Sequence, residues 1–294
     1  MFLLFALYRG YWFAKSLYFG PLPKHVWVFW QDPPDSKQPG YITLCLRSII
    51  KNNQHKLQVH VLDEHSIYNY LPNLRKDLVT KLSLPQRADY YRVALLLHYG
   101  GIWLDADTVV MRNLTPLLQL LRYNEFVGFG CHYSAEKCKT SFNGYPLPAN
   151  WVMVARANSE LFNRYKQVLD QMINTHDKEY FKNNYHAIGR EMLRESVVYM
   201  QKKQPFWDYK HVTSRCYERD SSGVKWENKR FISNENIDAN CLPDFMFVPV
   251  YNTSPGFPEW FRNMSAEEIL KTNYLFAKML RFALAVDNKT MHAS

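Results

Sequence analysis

Residues 85–110 restrict the fold more than any other stretch. Pro85 can occupy the first turn of a helix that runs through Arg87-Ala-Asp89-Tyr-Tyr-Arg92-Val-Ala-Leu-Leu-Leu-His-Tyr, and Gly100-Gly101 supplies the stop. Ile102-Trp103-Leu104 then reads as a short buried strand running straight into Asp105-Ala106-Asp107. In extended chain side chains alternate with period two, so the two carboxylates are expected to point the same way. Two hard anionic ligands at the end of an apolar strand suit Mn²⁺ or Mg²⁺, which keeps positions for water and substrate phosphates.

Upstream of this block, His25–Trp30 reads as a buried strand bounded by Gln-Asp-Pro-Pro, Thr43–Lys51 has helical spacing, and Leu57–Leu62 alternates like a second strand. Strand, helix, strand, helix, strand implies an α/β domain with a mixed, mostly parallel central sheet flanked by helices. Ligands in such sheets collect at the carboxyl ends of the strands, which directs attention to the loops after Trp30, Leu62 and Leu104. Asp63 is set aside, because acidic residues are common in such loops.

Composition narrows the function classes. With 47% hydrophobic and 21% charged residues, the 294-residue chain is globular rather than disordered. Its net charge of +9 attracts polyanions. It contains neither a Lys/Arg block nor a zinc-finger spacing, so nucleic acid is not expected as a partner.

A bare Asp-x-Asp occurs by chance in many proteins, and three readings compete for this one. It can be a solvated acidic turn. It can be the first motif of a haloacid-dehalogenase-like phosphohydrolase, with Asp105 as nucleophile. That class also needs a late acidic pair, whereas Asp238 and Asp244 are separated by a Cys-Leu-Pro segment. The third reading rests on the whole string from Arg87 to Asp107. It resembles the sugar-nucleotide block of DXD-containing glycosyltransferases: the capsular polysaccharide synthesis proteins, glycosyltransferase family 32 and the glucosylating domains of large clostridial toxins. Pro23-Lys-His-Val-Trp-Val-Phe-Trp30 is similar to the first strand of that family.

The resemblance implies a GT-A-like nucleotide-diphospho-sugar transferase fold and a metal-dependent transfer of sugar to a hydroxyl of a glycan or lipid-linked acceptor, with retention of anomeric configuration. It assigns Trp30 to the nucleotide base, Asp89 and Arg92 to donor sugar hydroxyls and the diphosphate, and Trp103 to the neighbourhood of the nucleotide. Asp107 becomes a direct metal ligand; Asp105 holds the ribose and reaches the metal through water. Asn150, opening a later strand, falls near the acceptor. Each has a bland rival: Trp30 and Trp103 as core, Asp89 and Arg92 as an i,i+3 surface ion pair. Ile188-Gly189-Arg190 matches a family Gly-Pro segment except that Arg replaces Pro. Asn252 and Ser254 are candidates for completing the metal or diphosphate site. A non-catalytic glycan-binding protein is the remaining alternative class.

The domain plan read from the sequence has an amphipathic segment over 1–20, suited to a membrane interface or to packing on the domain. A single domain over 21–294 follows, with a nucleotide-sugar half to 112 and an acceptor half from 113. Ser265–Val286 reads as one helix opened by the capping pattern Ser265-Ala-Glu-Glu268. Five cysteines without a CxxC pair read most simply as free thiols in a reducing compartment, with one or two disulfides as the alternative, and with no clear spanning segment the expectation is a cytoplasmic, peripherally membrane-associated protein. Asn-x-Ser/Thr triplets at Asn113, Asn252, Asn263 and Asn288 keep a lumenal site open.

Overall fold

A computed structural model describes residues 20–285, apart from 33, 35, 131–140, 143–144, 205–206, 208, 213–215, 243–245 and 251–255. The segment over 1–19, Asn252 and Ser254 therefore lie outside the described residues. In chain order the main elements are strand β1 (His25–Phe29), helix α1 (Gly40–Asn53), β2 (Gln58–Leu62), helix α2 (Leu84–Tyr99), β3 (Gly101–Asp105), β4 (Thr108–Val110) and β5 (Phe126–Phe129). A short ribbon of β6 (Ser141–Phe142) and β7 (Tyr145–Pro146) precedes β8 (Ala149–Ala155). Helices α3 (Glu160–Thr175) and α4 (Met192–Lys203), strands β9 (Tyr209–Val212) and β10 (Phe247–Pro249), and helices α5 (Ala266–Lys271) and α6 (Leu275–Ala285) complete the chain.

Six strands form one mostly parallel sheet in the order β2-β1-β3-β8-β5-β9, the α/β architecture expected from the alternating pattern. β5 runs antiparallel to β8 and parallel to β9. Because β2 and β3 lie on opposite sides of β1, the strand order reverses at β1, the kind of point where α/β sheets bind ligands beyond their carboxyl ends. The chain divides into two compact units. The first comprises residues up to Trp27, Leu62–Trp103 and Pro116–Thr213; the second comprises Val28–Val61, Leu104–Thr115 and the chain from Ser214 on.

In the first unit, α2 begins with a capping box in which Ser83 and Gln86 satisfy each other's backbone N–H groups. It ends at Gly100 and Gly101, both at positive φ (63° and 105°). A Cβ on Gly101 would lie 2.4 Å from the His25 carbonyl oxygen, so the pair stops the helix and also lets β3 approach β1. Tyr90 through Leu97 are buried, and helix α3, capped by Ser159, contributes Leu161, Phe162, Tyr165 and Leu169 to the same core.

In the second unit, α1 packs on β4 and on α5 and α6. Asn52 ties these elements together: its Nδ2 is 3.0 Å from the Val110 carbonyl and 3.1 Å from that of Ala283. Gly40 lies so close to the backbone of Met264–Ala266 that a Cβ would come within 2.4 Å of Met264 O. α1 starts three residues before the predicted Thr43, with Thr43 N donating to Pro39 O at 3.0 Å.

Two expectations are corrected. Helix over 265–286 is interrupted. Ser265 and Glu268 do form the capping box, but Thr272 adopts extended backbone and caps α5, and Arg281 of α6 donates to the Leu270 and Thr272 carbonyls left free there. Nor are all cysteines thiols. Cys216 and Cys241, 25 residues apart, form a disulfide, and among the described residues only Cys45 is a free, buried thiol.

Candidate active site

Asp89 and Arg92 sit one turn apart on α2 and form the i,i+3 ion pair that the bland reading anticipated, with Arg92 Nη2 3.1 Å from Asp89 Oδ1. It is not a surface pair. The two side chains are only 7% (Arg92) and 13% (Asp89) exposed. Asn150, at the second position of β8, completes the group. Its Nδ2 donates to Asp89 Oδ1 at 2.9 Å, and its carbonyl accepts from Arg92 Nη1. The guanidinium also stacks over the Trp103 ring, 4.9 Å from its centroid. Buried charge is tolerated only when paired and hydrogen-bonded, and this cluster meets both conditions inside one unit.

Trp103 is 1% exposed, so its ring acts through Arg92 rather than by meeting a ligand face. Two residues that sequence pattern alone did not single out support the cluster. Gly189 leaves space for the Asp89 carboxylate, since a Cβ there would sit 2.4 Å from Oδ2 and 2.9 Å from Asn150 Nδ2. Tyr165, fully buried, donates its hydroxyl to the Gly189 and Ile188 carbonyls. Burial and the negative charge of Asp89 push the Tyr165 phenol far above its ordinary pKa, while Arg92 opposes them; the hydroxyl stays protonated as a donor. The signal for Gly189 was its place in the family segment; Tyr165 had none beyond its position on the apolar face of α3.

The second unit contains the carboxylate pair and Trp30. β3 ends at Asp105, Ala106 and Asp107 form a turn, and β4 starts at Thr108. The period-two argument for the two carboxylates thus does not apply; a turn, not extended chain, sets their directions. Ala106 is buried between them and Asp105 and Asp107 are half-buried. The turn is fixed through its backbone. β4 pairs antiparallel with β10, with Thr108 opposite Pro249, and Val250 N donates to Asp107 O at 2.8 Å. Behind the turn, burial and then the Asp107 charge push the Tyr41 phenol up to about 12, partly offset by Arg262, and the same two causes raise the Cys45 thiol. Trp30, just past β1, is half-buried rather than core, and its Nε1 donates to Asp32 Oδ1 at 2.7 Å. Asp63, by contrast, serves its own turn by accepting from Ser66 N and Oγ.

Two half-buried carboxylates on a backbone-anchored turn have the donor chemistry of a hard divalent cation. Among the described residues no group of three or more His, Cys, Asp or Glu side chains gathers as a closed cage.

Comparison with known proteins agrees with the resemblance seen in residues 87–107. The family profile described as "Capsular polysaccharide synthesis protein" matches residues 20–186. The "Uncharacterized glycosyltransferase L373" of Acanthamoeba polyphaga mimivirus is 26% identical over 170 residues, 58% of this chain and 55% of that protein. The chain thus spans about half the length of that curated relative. Among solved structures, it is similar to the PaToxG glycosyltransferase, with 12% identity, a TM-score of 0.42, and coverage of 68% of this chain and 77% of that one. It is also similar to the galactosyltransferase LgtC in complex with donor and acceptor sugar analogues, with 14% identity, a TM-score of 0.41, and coverage of 90% and 98%. No helix among the described residues is long and apolar enough to cross a membrane.

Proposed function

Because the chain belongs to the capsular polysaccharide synthesis protein family, we propose that it is a metal-dependent glycosyltransferase of GT-A-like fold that moves a sugar from a nucleotide-diphosphate donor to a hydroxyl of a glycan or lipid-linked acceptor. The observation that carries this reading is the Asp105–Asp107 turn: two half-buried carboxylates, inside the family-matched stretch, at the end of β3. Mn²⁺ or Mg²⁺ bound there would neutralise charge on the donor diphosphate as the sugar leaves it.

The side chains divide the remaining work. Asp107 would hold the cation, and Asp105 would hold the ribose and help to hold the cation. Trp30 offers its half-buried indole face to the base, a contact that needs no hydrogen-bond match. Asp89 contacts a donor sugar hydroxyl. Arg92 pairs with that carboxylate and adds positive charge for the diphosphate, a fixed field of the kind that lowers a barrier without reorganisation. Asn150 sets the Asp89 rotamer, and Trp103 sets Arg92. No side chain is assigned as a covalent nucleophile, so retention would follow a front-face route in which the departing phosphate takes the acceptor proton. Residues 21–112 would supply the donor contacts and 113–294 the acceptor contacts and the C-terminal helices.

Incubation of the full chain with Mn²⁺ and a panel of nucleotide sugars tests the reading. Release of nucleoside diphosphate from one donor, abolished by chelator, is expected. Release of inorganic phosphate from simple phosphate esters instead would assign the Asp105 chemistry to a phosphohydrolase.

A further inference from the structure

The Cys216–Cys241 disulfide is not a surface accident. Both cysteines are buried, at 3% and 0% exposure, and the chain around them is densely bonded. Asp238 accepts from the backbone and hydroxyl of Ser221, and Asp220 pairs with Arg230, whose guanidinium stacks 4.5 Å from the Trp226 centroid. Beyond Cys241, Arg112 donates to the Leu242 carbonyl at 2.6 Å, and Tyr217 packs on Phe247 of β10. A bridge enclosed this way is structural, and structural disulfides belong to oxidising compartments. Such compartments are also where asparagines in Asn-x-Ser/Thr triplets are modified.

Two of the four triplets fall among the described residues, and the structure separates them sharply. Asn113 is half-buried. Its Nδ2, the atom a glycan would occupy, donates to the Asn52 carbonyl at 2.9 Å, and its Oδ1 accepts from Thr115 N. Asn52 in turn holds α1 to β4 and α6, so a sugar at Asn113 would break into the centre of the second unit. Asn263 is exposed. It closes the single helical turn Glu259–Arg262 through a backbone bond to Glu259 O and precedes Ser265, the exposed N-cap of α5.

We propose that this chain matures in an oxidising compartment where Asn263 accepts an N-linked oligosaccharide and Asn113 does not. The amide nitrogen of Asn263 attacks C1 of an oligosaccharide carried on a polyprenyl pyrophosphate. The N–C1 bond forms, the C1–O bond to the pyrophosphate breaks, and the amide proton is taken up as the lipid pyrophosphate leaves. Closure of Cys216 and Cys241 gives up two electrons and two protons by exchange with an oxidised protein dithiol, which is reduced. Neither step depends on the transfer chemistry proposed above.

The test uses the full chain with Asn252→Gln and Asn288→Gln, so that only the two described triplets remain. It is produced in insect cells along two routes, behind a cleavable secretory leader and in the cytosol. Secreted-route protein, denatured so that folding of each variant is irrelevant, is expected to show one endoglycosidase-sensitive mobility step. That step is lost in N263Q and kept in N113Q. Peptide mapping without reduction is expected to find Cys216 linked to Cys241 on this route alone, and the cytosolic protein to melt at a lower temperature. A missing step, a step that survives N263Q, or equal melting of the reduced cytosolic protein would overturn the proposal.

Discussion

In the first unit, the Asp89 carboxylate is committed to Arg92 and Asn150 and is nearly sealed; in the second, Asp105 and Asp107 stand half-buried on a turn held by its backbone. The same residue type is used in two ways. Where a carboxylate must keep one orientation, side-chain partners from two distant stretches of chain surround it. At Asp105 and Asp107 it is the main chain of the turn that the fold anchors. Both units bury hydrogen-bonded polar groups, Gln86 and Arg92 in the first and Asn52 and Asn53 in the second, and among the described residues the second also carries the Cys216–Cys241 bridge.

Removing Arg92 should break this comparison most severely. R92A leaves Asp89 buried without its counter-charge, a loss of about 3–5 kcal/mol on removing one member of a buried pair. Denaturant unfolding should show it, with the second-unit disulfide unaffected in peptide mapping. Next comes the second unit itself. C216S/C241S should lower stability by about 2–4 kcal/mol, as for loss of a native bridge, and reductant should do the same to the wild type but not to the double variant. A smaller cost, about 1–3 kcal/mol, is expected for G189A, because the added methyl must displace Asp89 or Asn150. If the cluster positions the donor sugar, G189A should also lower turnover more than any change in folded fraction explains.

The smallest effect concerns pH and separates the units again. His211 on β9 has Nε2 2.6 Å from the Gly130 carbonyl, so that nitrogen carries the proton, and Nδ1 2.8 Å from the Tyr209 hydroxyl. Burial lowers its pKa below 6.5, an effect the Gly130 bond opposes. The unfolded chain therefore takes up the proton first as pH falls. The contribution of the neutral ring is complete above about pH 6.5 and is lost as pH drops through the lower folded-state pKa. Thermal melts across that range should show a decline that H211Q flattens.

How much of this was written locally in the chain differs by element. The run from Pro85 to Asp105 was legible because its signals are local: a proline in the first turn and a glycine pair at the end, to which the structure adds the Ser83–Gln86 capping box. The break at Thr272 was not, because the apolar spacing continues through it and the carbonyls it frees are satisfied by Arg281, nine and eleven residues on. The bridge between Cys216 and Cys241 was hidden among five cysteines whose pairing sequence cannot dictate. In the site, Asp89, Arg92 and Asn150 could be named from the family resemblance, but their burial could not. It depends on Gly189 and Trp103, which reach the cluster only through tertiary packing. The Asp105–Asp107 pair was legible from its place after β3 and from the family resemblance, but its geometry was not, since a turn replaces the extended chain that was expected.

Calorimetric titration of Mn²⁺ into the full chain with its nucleotide-sugar donor, wild type beside D107N, tests most directly whether Asp107 holds a cation that clasps the donor diphosphate. Metal-dependent donor binding in the wild type, with a loss of about 10²-fold or more in D107N at unchanged melting temperature, is the predicted result. Equal Mn²⁺-dependent binding by the two proteins would contradict it.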